Sequence, residues 1–256
     1  MSACGKSSSD PADGFTLQGP PEPGDWLHHF PEPGQTEAEY RAACANRKSE
    51  SRRVFYLQPL GQAAEKHPVL LSRMRDYAEA FFGVPATLLP AIPLFEETWV
   101  PERAQFNSTR IIARLRERVP ADALVYAGFT TEDLYSQGLN FVFGEGSLAN
   151  RCGIYSLHRY GTPDPAQFLR RVLKLMSHEA GHILSIEHCV RWNCVMQGAN
   201  SLREDDRHPM HLCPEDLGKL AWNTGVDPTS RYRRLLEFYR TAGLEPEAAW
   251  TAARLP

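Results

Sequence analysis

The sequence lacks the long apolar run of a membrane-spanning helix, because no window comes near the roughly 18 consecutive apolar residues that such a helix needs. Its first residues, MSACGKSSSDPADG, contain no apolar stretch of the kind found in secretory signals. We therefore expect a cytoplasmic or nuclear protein that is neither secreted nor bound to a membrane. Its six cysteines are then expected to be thiols or metal ligands, since disulfides are rare in reducing compartments.

An excess of basic charge is also missing. The chain has 28 Lys and Arg against 31 Asp and Glu, and its formal net charge is -3. The most basic run, Arg231 to Arg240, alternates charges with apolar residues at helical spacing, which indicates an amphipathic helix with a solvated face. We expect no nucleic-acid partner, and the same balance argues against a zinc knuckle that binds nucleic acid.

Residues 1–50 are predicted to form a disordered or loosely docked tail. The stretch GPPEPGDWLHHFPEPGQ is dense in Pro and Gly, and such a segment buries too little apolar surface to offset its ordering entropy. Trp26 and Phe30 are candidates for docking on the rest of the chain, and TEAEYRAACANRKSES is a candidate short helix. One folded domain is predicted over residues 51–256.

Strand and helix patterns alternate from residue 52 onward. Runs rich in β-branched and aromatic residues predict strands at residues 54–57 and in ATLLPAIPL, ALVYAGFT, LNFVFGEG and RCGIYSLHRY. Apolar residues at helical spacing predict a helix that ends at Gly83, another over AQFNSTRIIARLRERV, and a third that begins with Asp164 as N-cap and Pro165 as first residue. The C-terminal third is mostly helical. The pattern predicts an α+β fold, with helices packed on a twisted mixed sheet.

Three histidines and two cysteines lie within the seventeen residues from His178 to Cys194. His178 and His182 are four residues apart on the third helix, so one turn brings both imidazoles to one face, about 5–6 Å apart at Cβ. That spacing suits two nitrogen ligands of a tetrahedral zinc ion. Glu179 is placed to take a proton from a water that zinc activates. His188 reaches the same ion only if the chain turns near Ser185.

The stretch HEAGHILSIEH resembles the metzincin zinc-peptidase signature H-E-x-x-H-x-x-G-x-x-H. The continuation, CVRWNCVMQGAN and then CPED, is similar to one branch of that clan, the archaemetzincins. In them a cysteine follows the third histidine, a second lies five residues later, and a methionine lies two residues after that. The resemblance is strongest over residues 177–220. It implies an α/β-like metzincin fold with an active-site helix, a Met-turn and a helical C-terminal part, as one catalytic domain over residues 51–256.

The resemblance also implies a role for each matching residue. Glu179 would be the general base, and Met196 would be the Met-turn methionine that forms an apolar floor. The histidines of the signature would bind a catalytic zinc ion: His178, His182 and His188. The downstream residues would bind a second, structural zinc ion: Cys189, Cys194, Cys213 and Asp216.

Two positions depart from the family pattern. Ser185 stands where the family has glycine, and a serine with positive φ there would cost on the order of 1–2 kcal/mol. Asp216 stands where a fourth cysteine is expected, and His208 and His211 are nearby alternatives as ligands. Whether a second zinc is bound is therefore open. Cys152 lies within a predicted strand and is expected to pack in the core.

The functional hypothesis is a zinc-dependent metallopeptidase in which a zinc-activated water, with Glu179 as general base, hydrolyses peptide or protein substrates. The substrate would lie extended along an edge strand in LNFVFGEG or RCGIYSLHRY. The alternative is a catalytically weak or inactive zinc-binding interaction module on the same fold, with Ser185 and Asp216 as signs of decay. The retained Glu179 argues against that alternative, because a purely structural site has no use for a base. We expect a monomer.

Overall fold

The computed structural model of the chain describes residues 14–256. Its helices are α1 (Trp26–His29), α2 (Glu37–Ala43), α3 (Ala63–Lys66), α4 (Pro68–Phe82), α5 (Ser108–Leu115), α6 (Pro165–Ile183), α7 (Leu202–Arg207), α8 (Pro214–Thr224), α9 (Pro228–Ala242) and α10 (Glu245–Ala252). Its strands are β1 (Val54–Pro59), β2 (Ala86–Leu88), β3 (Trp99–Val100), β4 (Gln105–Asn107), β5 (Ala123–Thr130), β6 (Leu134–Tyr135), β7 (Gly144–Ser147) and β8 (Cys152–Ser156). Over this range, none of the helices has the length and apolar character needed to cross a membrane.

The main sheet contains five strands in the order β2-β1-β5-β8-β7. The first four run parallel to one another, and β7 pairs antiparallel with β8 as the outer strand on its side. The three short strands β3, β4 and β6 form a second sheet. The predicted mixed sheet with packed helices is confirmed.

Strand β5 lies between two hydrophobic cores, because all of its residues are buried and alternate side chains point to opposite faces. Val125 and Phe129 face the larger core, together with buried residues of α4, α6 and α9. Tyr126 faces the smaller core, where it meets Leu115 of α5 and Cys152 of β8. The predicted packing role of Cys152 is confirmed. Helix α6 is thereby packed against one face of the sheet.

The helix boundaries follow local signals. The Asp164 side chain accepts a hydrogen bond of 2.9 Å from the Ala166 amide, and Pro165 is the first residue of α6, as predicted. Helix α4 ends at Phe82, and Gly83 follows in the left-handed conformation. These positions confirm the predicted start of α6 and the predicted end of α4.

Several predicted elements are shorter than their sequence patterns. In ATLLPAIPL only Ala86–Leu88 forms a strand, because the prolines at 90 and 93 cannot donate to the ladder. The helix predicted from residue 104 begins at Ser108 instead. The Asn107 side chain caps it by accepting from the Arg110 amide at 2.9 Å, and residues 105–107 form strand β4.

The described part of the predicted tail, residues 14–50, includes α1 and α2 and contacts the rest of the chain. Tyr40 is fully buried, and its hydroxyl donates to the Leu184 carbonyl at 2.9 Å. The Asn46 side-chain amide donates to the carbonyls of Leu124 and Ile183. The division of the chain at residue 50 stays a prediction, and residues 1–13 lie outside the described residues.

Substituting Gly83 by a larger residue should destabilise the protein both by a steric clash and by backbone strain. Gly83 has φ 67°, and a Cβ there would lie 2.2 Å from Cγ2 of Val226. Gly83→Ala is expected to lower the free energy of unfolding by about 2–4 kcal/mol, of which about 1–2 kcal/mol is backbone strain and the rest is overpacking. Chemical denaturation measures this loss.

Gly243→Ala is the matched control for that measurement. Gly243 follows α9 with φ 72°, and a Cβ there would meet no heavy atom of the described residues within 4 Å. It should lose only about 1–2 kcal/mol, which is the strain of the left-handed backbone. Equal losses at the two positions would contradict the steric part of the prediction.

Candidate metal centres

Helix α6 ends in a sharp reversal that carries the chain back over its last turn. The Ser185 amide donates to the His182 carbonyl at 2.9 Å, and the Ile186 amide donates to the Gly181 carbonyl at 3.0 Å. This pair of hydrogen bonds is the Schellman arrangement, which needs a left-handed residue at its turning point. Ser185 supplies that conformation with φ 72°. The turn that the sequence required near Ser185 is confirmed.

The reversal brings His188 next to His178 and His182. The ring centroids of the three imidazoles are 4.5, 4.8 and 5.2 Å apart. The Nε2 atoms of His178 and His182 are 3.0 Å apart, and one nitrogen from each ring lies within 4.8 Å of the others. Two nitrogens at about 2.0–2.1 Å from a tetrahedral zinc ion are separated by about 3.3 Å. The three side chains therefore fit one zinc ion.

Each of these imidazoles directs Nδ1 toward an oxygen of the protein. An Nδ1–H that is donated in this way leaves the Nε2 lone pair for a metal. Burial lowers the pKa of His182 to about 4, and it lowers the pKa of His178 well below its usual value, which favours the neutral form that binds metals. The Nδ1 partners are the Val195 carbonyl at 3.0 Å for His178, the Ile186 carbonyl at 2.7 Å for His182 and the Glu32 carboxylate at 2.9 Å for His188.

The Glu179 side chain lies against the outer strand β7. A Cβ on Gly144 would be 3.4 Å from Cδ of Glu179, and a Cβ on Gly146 would be 3.8 Å from its Oε2. Burial, with a contribution from the Glu145 carboxylate, raises the pKa of Glu179 to about 7. A carboxyl group with a pKa in this range can take up and release a proton near neutral pH.

Met196 packs directly on the backbone of α6 between two of the histidines. It is fully buried, and a Cβ on Gly181 would meet its Sδ at 2.5 Å. The Met196 carbonyl also accepts a hydrogen bond of 2.9 Å from the Cys189 amide. The sequence analysis missed Gly181, because a glycine inside a helix carries no signal of what packs against it.

Three cysteines and one aspartate form a second group, which is buried. The Sγ atoms of Cys189 and Cys213 are 3.8 Å apart, and the Cys194 Sγ is 3.2 Å from Oδ2 of Asp216. All four donor atoms lie within 4.8 Å of one another. Two thiolates at about 2.3 Å from a tetrahedral zinc ion are separated by about 3.8 Å. The group therefore fits a closed tetrahedral site.

The surroundings of the second group shift the charges of its donor atoms in opposite directions. Cys213 is the N-cap of α8 and accepts from the Asp216 amide, at a helix end that favours negative charge. Its hydrogen bond with Cys189 and its burial nevertheless raise the pKa of the thiol. Burial raises the pKa of Cys194 well above its usual value, and hydrogen bonds from the other two thiols lower the pKa of Cys189. The Lys219 ammonium is 2.9 Å from Oδ1 of Asp216, and both side chains are almost fully buried.

The two histidines considered as alternative ligands belong to neither group within the described part of the chain. His211 instead stacks on Trp250, with ring centroids 3.8 Å apart and an interplanar angle of 10°. Burial lowers the pKa of His208 to about 4. The fourth donor at the cysteine group is Asp216. Lys219 was missed by the sequence analysis, because a lysine on a helix is usually a solvated residue.

Ser185→Gly should stabilise the protein. Ser185 combines φ 72° with a buried hydroxyl that has no hydrogen-bond partner among the described residues. Glycine would relieve about 1–2 kcal/mol of strain, partly offset by its larger unfolded-state entropy of about 0.5–1 kcal/mol. We expect the melting temperature to rise by about 2–4 °C in thermal unfolding followed by circular dichroism.

Ser185→Ala separates the two contributions, because it removes the hydroxyl and keeps the strained backbone. Its melting temperature should lie between those of the wild type and Ser185→Gly. A lower melting temperature for Ser185→Gly than for the wild type would contradict the assignment of strain to this residue.

The sequence of this chain is similar to a known peptidase family and to proteins called archaemetzincins. Peptidase family M54 matches residues 106–221. Archaemetzincin-2 of Rattus norvegicus is 30% identical over 261 residues, which cover 84% of this chain and 72% of that protein. The archaemetzincin of Archaeoglobus fulgidus is 34% identical over 168 residues, which cover 66% of this chain and 99% of that protein.

Solved structures agree with these similarities. The crystal structure of the Archaeoglobus fulgidus archaemetzincin complexed with malonate has a TM-score of 0.57 and 32% identity, and the match covers 65% of this chain and 99% of that one. The archaemetzincin of Methanopyrus kandleri has a TM-score of 0.62 and 28% identity, with coverage of 70% and 99%. The chain belongs to the archaemetzincin family and is a zinc metallopeptidase.

Proposed function

We propose that one zinc ion is held by the Nε2 atoms of His178, His182 and His188, and that Glu179 is the general base of peptide-bond hydrolysis. The observation that carries this proposal is the convergence of the three imidazoles with each Nδ1 on a protein oxygen. When bound, zinc would supply a Lewis acid that polarises the scissile carbonyl and lowers the pKa of a water molecule.

Glu179 would transfer the proton of the attacking water to the leaving group. Its carboxylate accepts a proton from the attacking water and returns it to the nitrogen of the leaving amine. In the metal-free protein, its burial against β7 raises its pKa to about 7. The pKa falls when a cation binds nearby, which favours the ionised base at the start of the reaction.

The outer strand β7 is the proposed site of substrate alignment. It is the last strand of the main sheet, so its outer edge can pair with an extended peptide through backbone hydrogen bonds. Gly144 and Gly146 of this strand lie beside the Glu179 side chain. A peptide that adds to this edge would therefore pass next to the general base.

We also propose that a second, structural zinc ion is held by Cys189, Cys194, Cys213 and Asp216. Three thiolates and a carboxylate outnumber the two charges of the ion, and the Lys219 ammonium offsets part of the excess. The site would fix the loop between His188 and Met196, because Cys189 follows His188 directly.

The alternative, an inactive zinc-binding module, is less favoured than the peptidase. The two residues that suggested it, Ser185 and Asp216, both fit the geometry of the sites. Ser185 forms the turn that the family glycine would form, with φ 72°. Asp216 lies among the donor atoms of the second group rather than outside it. Neither departure from the family pattern disrupts the geometry of a site.

Glu179→Gln tests the role of the base. It keeps the shape of the side chain and removes the acceptor of the proton, so kcat on a peptide substrate should fall by about 10²–10⁴-fold. The zinc content, measured by metal analysis, should equal that of the wild type. The control Glu237→Gln changes an exposed carboxylate of α9, away from the histidines, and should keep full activity. Undiminished hydrolysis by Glu179→Gln would contradict the proposal.

Metal analysis tests the number of ions. We expect two zinc ions in the wild type and one in both Cys213→Ala and Asp216→Ala, since each change removes a donor from the second site. Cys152→Ala is the matched control, because Cys152 is a buried cysteine in the smaller core, and it should retain two ions. A wild type with one ion that survives Cys213→Ala would refute the second site.

A further inference from the structure

The segment that precedes α2 forms one wall of the cleft beside the histidines. The cleft has a volume of about 320 Å³ and is lined by Glu32, Pro33, Gly34, His182, Glu187 and His188. Half of these residues come from the first fifty positions of the chain. The wall therefore brings a polar side chain, Glu32, into contact with the proposed zinc site.

The Glu32 carboxylate lies between two ring N–H groups. Its Oε2 and Oε1 atoms are 2.9 and 3.0 Å from Nδ1 of His188. The Trp26 indole N–H donates to the same Oε1 at 2.8 Å. The side chains of Glu32 and His188 are only 27% and 17% exposed, so this hydrogen bond is partly shielded from water.

Helix α7 and the residues before it hold the segment in place. The Trp26 amide donates to Oε1 of Glu204 at 2.9 Å, and the Arg207 guanidinium is 2.6 Å from the Asp25 carboxylate. The Trp26 ring meets the His188 ring edge to face, at a centroid distance of 5.3 Å. Glu204 is itself buried, so the attachment of Trp26 uses a well-shielded acceptor.

We propose that Glu32 is a positioning residue of the catalytic centre: it accepts the Nδ1–H of His188 and thereby directs Nε2 toward zinc. For His178 and His182, the backbone carbonyls of residues 195 and 186 accept the Nδ1–H in the same way. Only His188 takes its Nδ1 partner from a side chain, at a separation of 156 residues in the sequence. A carboxylate in this role fixes the tautomer and raises the basicity of the imidazole. The inference rests on the proposed zinc-binding role of His188.

The test compares full-length variants in zinc affinity and in cobalt(II) spectra. Glu32→Leu removes both acceptors and should weaken zinc binding at the histidine site by about 10–100-fold in a competition with a chelator. Glu32→Gln keeps one acceptor and should lose less. Trp26→Phe keeps an aromatic ring, although a smaller one, and removes the N–H that donates to Glu32; it should lose less zinc affinity than Glu32→Leu. In cobalt(II) protein, Glu32→Leu should shift the d–d bands of the nitrogen site and leave the thiolate charge-transfer bands unchanged.

Two controls separate the possible failures. Glu37→Leu removes an exposed carboxylate of α2 that pairs with Arg41, and its zinc affinity should equal that of the wild type. If Glu32→Leu and Glu32→Gln both match the wild type in zinc affinity and cobalt spectrum, the positioning role is overturned while the zinc site stands. If Glu32→Leu does not fold, Glu32→Gln and Trp26→Phe are compared with the wild type instead. Zinc affinities and cobalt spectra equal to those of the wild type in both variants would overturn the positioning role. Unchanged zinc affinity in His188→Ala would instead overturn the proposed zinc site itself.

Discussion

The end of helix α6 is the constraint on which both candidate metal centres depend. A helix that continued past Ile183 would point His188 away from His178 and His182. Two hydrogen bonds to carbonyls of the last turn, together with the left-handed conformation of Ser185, reverse the chain instead. Because the first cysteine of the second group follows His188 directly, one turn places both sets of donors. A strain of about 1–2 kcal/mol is small beside the free energy with which structural zinc binds, about 10–16 kcal/mol.

The carbonyl groups at this helix end obtain partners from the first fifty residues. The Gln35 side chain donates to the Ser185 carbonyl at 3.1 Å, the Tyr40 hydroxyl donates to that of Leu184, and the Asn46 amide donates to that of Ile183. Helix ends leave such carbonyls without intrahelical partners. The segment therefore contributes hydrogen bonds to the helix end. Its Pro- and Gly-rich composition indicates only that it buries little apolar surface, and it gives no information about such hydrogen bonds.

The structural features that the sequence could predict are those determined by residues close together in the chain. The start of α6 at Pro165, the helical spacing of His178 and His182, and the central strand β5 were all readable, because each is set by neighbours within one or two turns. Glu32 could not be found in this way, since a glutamate between two prolines indicates only a polar loop. Gly181 was missed because its importance lies in the packing of Met196, which is farther along the chain. Lys219 lies only three residues from Asp216, and it was missed because the sequence does not show that this pair is buried. The length of a strand was overestimated where prolines ended it, and the length of a helix was overestimated where an N-cap started it late.

The partners of the active-site helix also set an order on folding during synthesis. Tyr40 and Leu184 are separated by 144 residues, and Glu32 and His188 by 156. A chain that emerges from its N-terminus therefore exposes the segment around Trp26 long before its partners His188 and Glu204 have been synthesised. Contacts between residues so far apart in the sequence form slowly, because the chain must lose the conformational entropy of a long loop before the contact can stabilise it. We therefore expect the wall of the cleft to be among the last parts of the molecule to form, after the sheet and α6 have packed.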